Sequence, residues 1–139
     1  MSARHIDWIR EVCLSFHHTT ENIQWGDNLI FRVANKIFCI APLEPTAAAK
    51  LSLKCTPEKF AELIEVEGII PAPYLARNYW VAFVELNALR QSEIRELIEN
   101  SYRLVFEKLP KRMQAELAKA KVGPAAKSRG RAGEKRKRN

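Results

Sequence analysis

Apolar and polar positions alternate along the chain in a pattern that predicts a helix, a group of strands, a second helix, a further strand and a closing helix. Ile6, Ile9, Cys13 and Phe16 recur at intervals of three and four, and Trp8 and Val12 widen the stripe, so an amphipathic helix is expected there with Ser2 as its N-cap. His17-His18-Thr19-Thr20 breaks that period. The residues around Ile23 and Trp25 predict a short strand, and Gly26-Asp27-Asn28 a turn. The run from Leu29 to Ala34 and the run from Ile37 to Ala41 flank Asn35-Lys36, which is expected as the two-residue loop of a β-hairpin, with Leu29, Phe31 and Val33 sharing one face.

Beyond Pro42 and Pro45, Leu51, Leu53 and Cys55 alternate with Ser52 and Lys54 as a further antiparallel strand. Thr56-Pro57-Glu58 then starts a helix: a hydroxyl N-cap, a proline where the helix needs no N–H, and a carboxylate at the positive end of the dipole. Phe60, Leu63 and Ile64 supply its buried side and Gly68 ends it. Ile69-Ile70-Pro71-Ala72-Pro73 reads as a constrained connection, and Trp80 to Leu86 as the last strand. Ser92-Glu93 opens a long helix with Ile94, Leu97, Ile98, Val105 and Leu109 on its core side; Pro110 ends it, and residues 111–118 suit one more short helical piece. No βαβ alternation is present, so the expected class is α+β, an antiparallel β-sheet with helices packed on it.

The 139 residues fit one domain. Three widely spaced cysteines, Cys13, Cys39 and Cys55, suggest neither a disulfide framework nor a zinc site, which points to a cytoplasmic location. No apolar run approaches a signal peptide or a membrane span. Charge changes the picture more. Of a formal +7, the residues from 119 onward carry nine cations against the single acid Glu134, a net +8, while residues 1–118 carry 14 cations and 15 acids. The division expected is therefore a folded domain over 1–118 and a disordered polybasic tail over 119–139, whose side chains after Val122 are too small and polar to offset their ordering entropy.

Several short segments, in order, resemble the MmcQ/YjbR family of small bacterial proteins. They are Cys13-Leu14-Ser15, Trp25-Gly26, Phe31-Arg32-Val33 with Lys36-Ile37-Phe38, Leu53-Lys54-Cys55 with Pro57-Glu58, Gly68-Ile69-Ile70-Pro71, Tyr74-Leu75, the strand from Trp80, Ser101-Tyr102, and Lys108-Leu109-Pro110-Lys111. The resemblance spans roughly residues 6–117 and implies a CyaY-like α+β fold with a double-wing DNA-binding motif, hairpins serving as wings. The chain departs from the family pattern at His17-His18, where Pro-Gly is usual, and at Asn87-Ala88-Leu89-Arg90. The tail lies outside the resemblance.

Candidate chemistry follows from charge. Lys119, Lys121, Lys127, Arg129, Arg131, Lys135, Arg136, Lys137 and Arg138 suit sequence-independent phosphate contacts, weakened by salt as counterions are released. On the body, Lys36 at the hairpin tip, Lys54 on the polar side of its strand, and Arg77 and Arg90 in loops are the residues a wing would offer to phosphates. Trp25 and Trp80, in strand patterns, are expected in the core rather than free to stack on bases. His17 and His18 would need a carboxylate such as Glu21 to hold a metal. No nucleophile elbow, P-loop, dinucleotide fingerprint or metalloprotease motif occurs, so no catalytic residue and no cofactor is assigned. The expectation is a non-enzymatic, monomeric DNA-binding protein, with RNA as a second polyanion and no membrane partner. The alternative is a protein-interaction or metal-handling module on a frataxin-like fold.

Overall fold

A computed structural model describes residues 2–44, 46–73 and 75–120. In chain order it contains helix α1 (Ser2–Leu14), strands β1 (Thr19–Gln24), β2 (Asn28–Val33), β3 (Lys36–Pro42) and β4 (Leu51–Lys54), helix α2 (Pro57–Leu63), strands β5 (Ile69–Pro71) and β6 (Trp80–Phe83), and helices α3 (Gln91–Glu107) and α4 (Lys111–Ala120). The strands form one antiparallel sheet in the order β1-β2-β3-β4-β6-β5.

Alternation decides which face is buried. Leu29, Phe31, Val33, Phe38, Cys39, Leu51, Leu53, Val81 and Phe83 meet Ile9, Val12 and Cys13 of α1, Leu63 of α2, and Ile94, Leu97, Ile98 and Val105 of α3 in one core. On the opposite face, among the described residues, Ala72, Trp80 and Ala82 form a small buried cluster against which Ile37, Ile40, Ala49 and Leu75 pack. Ser101, fully buried on α3, fastens helix to sheet: its hydroxyl donates to the Phe38 carbonyl at 2.6 Å and accepts from the Lys54 N–H at 3.0 Å. The capping chemistry of α2 is as expected, with the Thr56 hydroxyl accepting from the Lys59 N–H and Pro57 opening the helix.

Some expectations shift. Helix α1 already includes Ser2, which therefore stands inside the helix and not before it. The β2–β3 turn is Ala34-Asn35, one residue earlier than expected: both have positive φ, 50° and 69°, and Lys36 pairs with Val33. A left-handed pair at the turn matches the twist of the flanking strands, and that requirement outweighs alanine's reluctance to adopt it. The expected connection at Ile69-Ile70-Pro71 is an edge strand, and Pro71 fits because an edge can spare an N–H. The strand beginning at Trp80 ends at Phe83, because the backbone turns to let Val84 and Glu85 donate to the Gly68 carbonyl. Helix α4 runs to Ala120, which puts Lys119 on its last turn.

Candidate nucleic-acid interface

Strand register gathers three of the four body cations named from the sequence at one end of the sheet. Lys36 opens β3, Lys54 closes the neighbouring β4, and Lys54 lies opposite Trp80, which Arg77 precedes in a single 3-10 turn. Lys36 and Arg77 are exposed. Lys54 is half-buried: its ammonium donates to the Asn78 carbonyl at 2.8 Å, and its pKa is lowered by burial and then by the nearby charge of Lys108. Lys108 stands where α3 ends, so the helix delivers a fourth cation to the same place. Among the described residues none of these four forms an ion pair with a carboxylate. Glu107 is the acid beside them in sequence.

Arg90 is not part of this group. It precedes the first turn of α3, about 27 Å of helix axis away from Lys108 at 1.5 Å per residue, and its guanidinium lies 3.7 Å from Glu93. The Glu93 carboxylate also accepts from the Arg90 N–H at 3.0 Å, so both residues serve the helix start. Lys119 lies exposed on α4. Lys121, Lys127, Arg129, Arg131, Lys135, Arg136, Lys137 and Arg138 fall outside the described residues.

The α3–α4 junction sits at the basic end as well. The Tyr102 hydroxyl donates to the His17 carbonyl at 2.6 Å, and Phe16, Phe38 and Phe106 pack around the Tyr102 ring. Burial lowers the pKa of His18, opposed in part by the nearby backbone of Leu117 on α4. Glu21 does not join the histidines. Both its oxygens accept from the Arg10 guanidinium, at 2.8 and 2.6 Å, and among the described residues no three His, Cys, Asp or Glu side chains come together as metal ligands.

Trp80 is buried as expected, but Trp25 is not a core residue. It is 63% exposed at the β1–β2 turn with φ of 53°, beside Ile23 at 56%. Strand alternation suggested an inward side chain there, but the strand ends at Gln24 and the left-handed backbone redirects the indole. This tip lies at the other end of the hairpin from Lys36.

A cleft of about 330 Å³ opens between the start of α2 and α3, lined by Cys55, Thr56, Lys59, Leu97, Asn100 and Arg103 among others. Burial pushes the Cys55 thiol up to about 11, so it stays protonated at neutral pH. Lys59 and Arg103 on the rim already hold Glu62 and Glu99, each at 2.8 Å. Among the described residues no helix is long and apolar enough to cross a membrane. Sequence reasoning missed Lys108, Lys111 and Arg112, whose charges flank Pro110 and were absorbed into helix patterns. Their clustering around a helix break was the available signal.

The family model described as YjbR matches residues 14–104. The fold is also similar to the crystal structure of Deinococcus radiodurans protein DR2400, with domain DUF419: 26% identity, a TM-score of 0.74, and coverage of 81% of this chain and 87% of that one. A Pseudomonas syringae protein of known crystal structure is 24% identical with a TM-score of 0.59, over 70% of this chain and 96% of its own. No curated protein matches.

Proposed function

The chain belongs to the YjbR family, and from that premise we propose that it is a non-enzymatic, cytoplasmic DNA-binding protein whose basic end holds phosphates while the tail adds sequence-independent affinity. The observation that carries this is that Lys36, Lys54 and Arg77 stand at one end of the sheet, with Lys108 close enough to Lys54 to lower its pKa, and that none of the four has a carboxylate partner among the described residues. Lys54 and Lys108 repel each other. A phosphate placed near both would relieve that repulsion, and Lys36 at the β2–β3 tip would reach the same backbone as a wing does. Phosphate contacts of this kind position a protein without reading sequence.

The test is a salt series with a 20-base-pair duplex on the intact protein, on a chain ending at Ala120, and on a full chain carrying Lys36→Gln, Lys54→Gln and Arg77→Gln. We expect log K to fall linearly with log salt, by about 0.9 per phosphate contacted. Both altered proteins should show a shallower slope than the intact one. Equal slopes for all three, or no duplex binding at low salt, would overturn the proposal.

A further inference from the structure

We propose that α4 is a groove-binding arm, its outward face of Arg112, Ala115 and Lys119 lying in the major groove of duplex DNA. This rests on the nucleic-acid reading above and adds the element and the groove. The helix lies wholly beyond residues 14–104, the part of the chain that the family model matches.

One contact and the pattern of exposure fix which side of α4 faces the body. The Gln114 side chain donates to the carbonyls of Glu107 and Leu109, at 3.2 and 2.8 Å, and Gln114 and Leu117 are half-buried while the other described side chains of the helix are exposed. With 3.6 residues per turn, Gln114 and Leu117 lie within about 60° of each other. Arg112, Ala115 and Lys119 share the opposite side within a similar arc, and Lys111 flanks them. All four are exposed, and among the described residues none of the three cations forms an ion pair. Glu116, at the border of this face, is the single acid of the helix.

Shape and charge then select the occupant. Ala115 stands between the cations, and its methyl group lets the helix backbone approach a surface closely. A helix about 10–12 Å across fits the roughly 12 Å major groove of B-form DNA and not its roughly 6 Å minor groove. The deep, narrow major groove of A-form RNA does not admit it. Past Ala120 the sequence continues with 19 residues carrying eight cations and one acid, a charge that suits a polyanion and not a basic partner. An acidic protein partner would satisfy the charge but would give no reason for the small central residue.

The experiment compares a 20-base-pair DNA duplex with an RNA duplex of matched sequence, using the full chain and three variants. Ala115→Leu adds bulk without changing charge, Arg112→Gln with Lys119→Gln removes two cations, and Arg90→Gln is the distant control; circular dichroism checks that helix content is retained. The wild type should favour DNA, with methyl green, a major-groove ligand, displacing it and distamycin, a minor-groove ligand, failing to. Ala115→Leu should weaken DNA binding about tenfold and leave RNA binding unchanged. The double variant should lower the DNA salt slope by about 1.8, at about 0.9 per contact. If the wild type binds DNA but Ala115→Leu binds it equally well, or distamycin is the competitor, the arm proposal fails and the nucleic-acid reading stands. If the wild type binds no DNA, both fail.

Discussion

At the scale of single residues, partners decide more than residue type. Lys36, Lys54 and Arg90 looked alike in the sequence, yet Arg90 serves a helix start, Lys54 is half-buried against a carbonyl, and Lys36 is exposed at the start of β3 beside the turn. No local pattern distinguishes them, because the distinction is made by segments distant in sequence. Ser101 is the clearest case. Its hydroxyl satisfies a carbonyl 63 residues away and an N–H 47 residues away, both at the sheet surface under α3. Ser101→Ala should leave the Lys54 N–H without its partner and the Phe38 carbonyl short of one. Leaving buried polar groups unpaired costs about 1–3 kcal/mol, so urea denaturation should show a loss near 2 kcal/mol. A loss under about 0.5 kcal/mol, the usual range for inconsequential surface changes, would mean that the pair finds other partners.

Among the elements, those with several periodic apolar residues were legible: α1, α3, and strands β2, β3 and β4 stand where alternation places them. Strand β5 was not, because three residues containing a proline carry too little period to separate a strand from a linker. The β2–β3 turn was displaced by one residue because Asn35 was expected to open the loop and instead closes it. That position has an energetic consequence. Alanine in the left-handed region is strained by roughly 1–2 kcal/mol, and two-residue hairpin turns with two positive φ values favour Asn then Gly. Ala34→Asn combined with Asn35→Gly should therefore stabilise the protein by about 1 kcal/mol, seen as a higher urea midpoint with an unchanged m-value. A lower midpoint would show that the turn depends on contacts made by the present side chains.

Over the whole molecule, the described core and the excess of positive charge belong to different stretches of sequence. The core runs from Ile9 to Val105 with Leu109 buried just beyond it, while the whole formal excess of +7 lies after Ala120, outside the described residues. The candidate interface was accordingly half legible: charge counting found the tail, but only the sheet register brings Lys36, Lys54 and Arg77 together, and only the end of α3 adds Lys108. If stability and affinity are separable in this way, a chain ending at Ala120 should match the full protein in unfolding free energy within about 0.5 kcal/mol, the range of surface changes that touch no core. Within that range the shorter chain should be slightly the more stable at low salt, since removing like charges relieves self-repulsion. That difference should vanish near 1 M salt, where the Debye length is about 3 Å. Denaturation of both chains at low and high salt checks this. A deficit of 2 kcal/mol or more in the shorter chain, persisting at high salt, would show that residues 121–139 pack on the body and hold it together.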